Sequence, residues 1–104
     1  MRAASTVWRT LPTRRLFERR NTWVQALLHF GDRTQSIVIR DISRSGMRIE
    51  FAYGLNPGDE IEVELMSGRR LQGNVAWSVA AYCGVELQTL LAEDDPVLET
   101  CKRH

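Results

Sequence analysis

The chain has 104 residues, a formal net charge of +1, and 43% hydrophobic and 26% charged residues. These values describe one ordinary soluble globular domain with a single modest core. No apolar run reaches the roughly 20 residues that a membrane-spanning helix needs, so membrane insertion is not expected.

The start of the chain has no apolar segment of secretory type, and a cytoplasmic location is expected. Cys83 and Cys101 are isolated thiols without metal-ligand spacing, and His29 and His104 add no cluster. Reduced thiols and no metal or cofactor are therefore expected. The small net charge hides an uneven distribution. Residues 1–48 carry +7 and residues 49–100 carry −8. The basic half has a field that can recruit an anion. All its cations are arginines, whose planar forked donors suit phosphate and guanine edges.

In chain order, residues 1–13 show no sustained period and read as a flexible arm, with Trp8 and Leu11 able to pin it to the body. The segment Arg14-Arg15-Leu16-Phe17-Glu18-Arg19-Arg20 follows, compatible with a helical turn or an extended linker. From Trp23 the pattern alternates. Val24, Ala26, Leu28 and Phe30 form the more apolar face of a strand. Gly31-Asp32 opens a loop, and Ile37 to Ile42 is the returning strand.

Past a polar corner ending at Gly46, the residues Met47, Ile49 and Phe51 mark one buried face. Asn56-Pro57-Gly58-Asp59 is a turn signal, with Pro57 presetting φ and Gly58 supplying positive φ if the turn is type II. Ile61, Val63 and Leu65 then alternate with Glu60, Glu62 and Glu64, whose acidic face is expected in solvent. Ser67-Gly68 turns into a strand on which Leu71, Gly73, Val75 and Trp77 are expected to share a face. Tyr82 to Leu87 is a sixth strand. Six short strands punctuated by turns indicate an all-β barrel or sandwich. Asp94-Asp95-Pro96 supplies a cap and a first-turn proline for a short C-terminal helix with Val97, Leu98 and Cys101 on one side. The expected organisation is an arm at 1–13, a barrel domain at 14–90 and a helical tail at 91–104.

Two pieces carry the chemistry. Arg15 and Arg19, flanked by Arg14 and Arg20, can donate bidentately to guanine O6 and N7, clamp phosphate or stack on a base. Asp41, Ser43 and Gly46 sit at a strand end. There a carboxylate can accept from guanine N–H groups, a hydroxyl adds a contact, and backbone N–H groups near Gly46 can receive phosphate. Gly46 is expected to supply positive φ or close backbone approach. Each piece also has a structural explanation, as a solvated basic patch or as side chains holding a turn. Trp77 is expected in the core more readily than on a stacking platform.

The order Arg-x-x-x-Arg (Arg15, Arg19), then Asp-x-Ser-x-x-Gly (Asp41, Ser43, Gly46), resembles the PilZ domain family. Pro57-Gly58-Asp59, Gly73-Asn74-Val75-Ala76-Trp77 and Gly84-Val85-Glu86-Leu87 fit the same pattern, so the resemblance spans roughly residues 14–88. It implies an all-β fold, a six-stranded antiparallel β-barrel, binding the bacterial second messenger cyclic di-GMP. By that resemblance Arg15 and Arg19 grip guanine and phosphate, with Arg14 or Arg20 able to substitute in register. Asp41 and Ser43 contact guanine, Gly46 permits close approach, and Trp77 is a further candidate.

The expected function is a non-enzymatic receptor in which the arginine segment folds over the nucleotide and alters a surface for an unidentified protein partner. The alternative is a degenerate adaptor that binds protein only. General nucleic-acid binding is not expected, because Phe17 is the only aromatic inside the arginine cluster. An enzyme is not expected either, since no nucleophile–base pair, metal-ligand spacing or phosphate loop is present.

Overall fold

The computed structural model describes residues 20–100, with side chains from Thr22 to Glu99. Six antiparallel strands close into a barrel in the order β1-β2-β3-β6-β5-β4. They are β1 (Arg20–Phe30), β2 (Arg33–Ile42), β3 (Gly46–Glu50), β4 (Glu60–Leu65), β5 (Arg70–Val79) and β6 (Tyr82–Leu87). The period-2 pattern does the work. Ala26, Leu28, Ile37, Ile39, Ile42, Met47, Ile49, Ile61, Val63, Val75 and Val85 point inward and fill one core. Closure leaves none of these short strands with an open edge.

The hairpins form where the turn residues predict. Gly31, at φ 63°, turns β1 into β2 between the paired Phe30 and Arg33. In the Asn56–Asp59 turn the Asp59 N–H donates to the Asn56 carbonyl at 3.0 Å, and Gly58 has φ 96°. This is the type II geometry that needs glycine at its third position. Cys83 is buried within the barrel, and burial pushes its thiol up to about 12, so it is not a reactive thiolate at neutral pH.

The expected short C-terminal helix is present, and the tail closes onto the barrel. Asp95 caps helix α1 (Pro96–Thr100) by accepting from the Val97 N–H at 3.0 Å. Arg69 clamps the same carboxylate with two N–H donors at 2.5 and 2.8 Å. That hydrogen bond holds the Asp95 carboxyl below the usual carboxylate range. Leu91, Val97 and Leu98 join the barrel core. The helix begins at Pro96, so residues 91–95 are a turn rather than helix, and Cys101 lies outside the described residues.

Three expectations about side-chain direction are corrected. Phe51 falls just after β3 with φ 69° and is 40% exposed, so it leaves the buried face of Met47 and Ile49. The acidic face of β4 is not simply solvated: Glu62 and Glu64 are partly buried in a ladder of pairs. Glu62 accepts from Arg70 at 2.8 Å and also from Gln72, and Glu64 accepts from His29 at 2.8 Å. The His29 hydrogen bond holds the Glu64 carboxyl below its ordinary value. The third correction concerns Trp77 and is central to the site.

Candidate anionic-ligand site

Two bulges decide which residues reach the outer face beside the β2–β3 corner. On β2, Ile39 pairs with Ile49 while Asp41 pairs with Arg48, leaving Arg40 as the extra residue. Regular alternation would send Asp41 inward with Ile37 and Ile39. The inserted residue instead returns Ile42 to the core and turns Asp41 outward. On β5, Val75 pairs with Val85 while Trp77 pairs with Gly84, so Ala76 is the extra residue. Trp77 is thereby expelled from the face of Leu71, Gly73 and Val75 and lies partly exposed on the outside.

The result is one row across four strands. Asp41 on β2 is opposite Arg48 on β3, Arg48 is opposite Gly84 on β6, and Gly84 is opposite Trp77 on β5. Gly84 is what lets the tryptophan lie there. A Cβ at that position would stand 2.2 Å from the indole Nε1 and 2.4 Å from Cε2. The absent side chain leaves the β6 backbone as a bed for the ring.

The charges in this row lie close together. Arg48 Nε lies 3.1 Å from Asp41 Oδ2 without hydrogen-bond alignment, and that buried Nε has no hydrogen-bond partner. The Arg48 guanidinium lies 5.4 Å from the Tyr82 ring centroid. The Asp41 side chain is 6% exposed and that of Arg48 is 39% exposed, so the pair meets solvent through the arginine. Beside it, the bulged Arg40 lies 4.6 Å from the Trp23 ring and donates to Glu50 at 2.6 Å, with its buried Nε unpartnered. A carboxylate acceptor, forked cations and aromatic faces together suit a planar heterocycle that carries N–H donors beside an anionic group.

Ser43 has a different position. It is buried, and its backbone N–H donates to the Gly46 carbonyl at 2.8 Å. Its hydroxyl accepts from the Ser45 N–H at 3.3 Å and lies 3.4 Å from the Gly46 carbonyl. The hydroxyl therefore shapes the corner, and the Ser45 N–H is engaged within it. Gly46 is a strand residue opposite Glu86, and positive φ occurs instead at Gly31, Gly54, Gly58 and Gly68. Its parity matches Arg48, so a side chain there would project onto the face that carries the row. The expectation of positive φ at Gly46 is therefore corrected.

The corner is anchored from behind. Arg44 donates through Nε to the Leu91 carbonyl at 2.6 Å, and the Leu91 N–H donates to the Arg44 carbonyl at 2.9 Å. The Leu87 N–H donates to the Ser45 carbonyl at 2.9 Å. The tail thus holds the loop between β2 and β3 in place.

Arg14, Arg15 and Arg19 lie outside the described residues. Arg20 begins β1 opposite Ile42, and Asn21 is opposite Asp41, so the chain enters the barrel beside the corner. The sequence reading missed Arg48, Arg40 and Tyr82. Arg48 had a usable signal. Its alternation with Met47 and Ile49 puts it outward, and counting back across the corner places it opposite Asp41.

No curated protein sequence matches the chain. The model of the PilZ domain matches residues 13–102, which include all six strands, the corner and the capped helix. With nearly the whole chain matched and the barrel and corner in the expected places, this protein belongs to the PilZ domain family.

Proposed function

We propose that this protein is a receptor for cyclic di-GMP, held on the outer row by Asp41 and Arg48 and closed over by Arg15 and Arg19, with Arg14 or Arg20 beside them. PilZ domains generally bind this nucleotide or serve as adaptors, and the domain is a non-enzymatic one. The observation that carries the reading for this chain is the bulge at Arg40. It turns a carboxylate out beside an arginine whose Nε lacks a hydrogen-bond partner, next to the point where the arginine segment enters the barrel.

In this reading Asp41 accepts from the guanine N1–H and exocyclic N–H. Arg48 keeps that carboxylate facing the base and offers its guanidinium to phosphate. Trp77 and Tyr82 supply aromatic surface. Ser43 acts through the shape of the corner, and Gly46 leaves room for the ligand. A micromolar complex needs about −8 kcal/mol, more than any one contact gives. An Arg–guanine fork supplies about 1–3 kcal/mol of discrimination, so several contacts together are required. The signal is the ordering of the arginine segment, read by a protein partner.

Calorimetric titration of the full chain with cyclic di-GMP tests the proposal, with GTP and cyclic di-AMP as controls. Saturable heat with cyclic di-GMP that is lost in Arg15→Ala and Arg19→Ala supports it. Absence of heat at tens of micromolar protein leaves the adaptor reading, which predicts partner capture without nucleotide.

A further inference from the structure

The outer face of β1 is apolar where a solvated strand should be polar. Inward positions of β1 and β2 are already filled by Ala26, Leu28, Ile37 and Ile39. Trp23, Leu27, Phe51 and Met66 nonetheless line an outer groove of about 460 Å³, with the buried Val38 at its floor. Trp23 is 52% exposed and Met66 77% exposed. Antiparallel strands with one solvated face alternate apolar and polar residues, and strands apolar on both faces are covered on both. Single exposed apolar side chains need no explanation, but a contiguous patch marks a contact surface.

The register gives this patch a centre. Gln25 is exposed and stands opposite Val38. Trp23 and Leu27 lie two residues from it in either direction along β1. Across the strands, Phe51 follows Glu50, which is opposite Val38, and Met66 follows Leu65, which is opposite Ala26. An exposed amide is thus flanked by apolar side chains on all four sides. Such a pattern maps onto itself under a two-fold axis that lies in the face and passes through Gln25. Apolar groups then meet apolar groups, and the two amides can each donate and accept. The Arg40 guanidinium lies 4.6 Å from the Trp23 ring centroid, which limits the side-chain freedom lost when the tryptophan is covered.

Charge and area select the occupant. Every residue lining the groove is uncharged. The charged side chains that the register sets beside it are already engaged: Arg40 with Glu50 at 2.6 Å, and Glu64 with His29 at 2.8 Å and Arg70 at 3.4 Å. A basic or acidic peptide therefore finds no counter-charge there, whereas two copies of the face meet without opposing like charges. From Phe51 to Met66 and from Trp23 to Leu27 the patch measures about 14 Å each way, or roughly 24 Å with one strand spacing added at each margin. That square approaches the ~600 Å² per partner of the smallest specific interfaces. We propose that this face joins two copies of the chain in a two-fold dimer centred on Gln25. The dimer does not depend on the cyclic di-GMP reading.

Sedimentation of the full chain without nucleotide tests this. A reversible monomer–dimer equilibrium should appear, with a midpoint at roughly 10–100 micromolar for an interface of this size. Leu27→Glu and Met66→Glu place like charges against each other across the axis, and each should weaken association about tenfold or more. Both side chains point outward, so thermal melts of the two variants should show intact folding. Val79→Glu, at an exposed apolar residue away from the patch, should associate like the wild type. In a mixture of methionine-labelled and unlabelled copies, the Met66 ε-methyl should cross-relax with protons of the unlabelled copy, and the core Met47 methyl should not. A chain that stays monomeric at several hundred micromolar overturns the proposal, whatever else covers the groove. So does a dimer that Leu27→Glu and Met66→Glu leave intact, because another face then holds it.

Discussion

Two charged surfaces of this barrel differ in how completely they are satisfied. On the β1–β4–β5 side, His29, Glu62, Glu64, Arg70 and Gln72 meet in unbroken register, each with a hydrogen-bonding partner on a neighbouring strand. On the β2–β3–β6–β5 side, two bulges interrupt the register, and Arg40 and Arg48 each keep a buried Nε without a hydrogen bond. The paired surface is the more acidic and the more conspicuous in sequence, yet its groups are already spent on each other. Charge alone does not mark a site. What sets the bulged row apart is that an irregular backbone, rather than plain alternation, places its charges.

The largest expected effect on this contrast comes from Asp41. Asp41→Asn keeps the volume but replaces an acceptor with a mixed donor, and should weaken cyclic di-GMP binding by about 2 kcal/mol, roughly thirtyfold, in calorimetry. A near-normal affinity would remove Asp41 from the site. Gly84→Ala comes next. The new methyl group collides with the Trp77 indole, and overpacking of this kind costs about 1–3 kcal/mol. Thermal melting should therefore drop, and Trp77 fluorescence should shift as the ring leaves its bed. An unchanged emission spectrum would contradict the packing described.

The paired side makes smaller predictions. Asp95→Ala removes both the helix cap and the Arg69 fork, for a loss of about 1–2 kcal/mol once the exposure of Arg69 is allowed for. Asp95 and Glu64 both titrate below their ordinary values in the folded chain. Their contribution to stability is complete above the unfolded carboxylate value and is lost as pH falls through the lower folded value. Denaturant midpoints should therefore decline on acidification from pH 5 toward pH 2. The wild type should lose more than Asp95→Ala, and equal loss would rule out the fork as an acid-labile contact. Arg70→Gln should be smallest, within about 0.5 kcal/mol in stability and without effect on nucleotide affinity.

Much of the fold was legible because the barrel is built on plain alternation. Ile61-Glu62-Val63-Glu64-Leu65 fixes the faces of β4 residue by residue, Pro57-Gly58 fixes its preceding turn, and Asp95-Pro96 fixes the start of the helix. The errors fall where the period breaks. A one-residue insertion at Ala76 reverses the face of Trp77, and nothing in Gly73-Asn74-Val75-Ala76-Trp77 announces it to a period-2 reading. Arg40 has the same effect on Asp41, whose place in the Asp-x-Ser-x-x-Gly pattern carries no information about its direction. Phe51 departs at a positive φ just past the end of β3, two residues before Tyr53, which Gln35 and Arg33, distant in sequence, tie to β2. The role of Ser43 in shaping the corner follows from hydrogen bonds only three-dimensional closure reveals. The place of Arg48 opposite Asp41, by contrast, can be counted across the corner from the alternation of Met47 and Ile49.

Backbone and indole NMR of the full chain during titration with cyclic di-GMP tests the central claim most directly. Binding at the bulged row predicts shifts at Asp41, Arg48, Gly84 and the Trp77 indole N–H, with His29, Glu62, Glu64 and Arg70 left in place. Shifts confined to the paired ladder, or none at saturating nucleotide, would contradict the account.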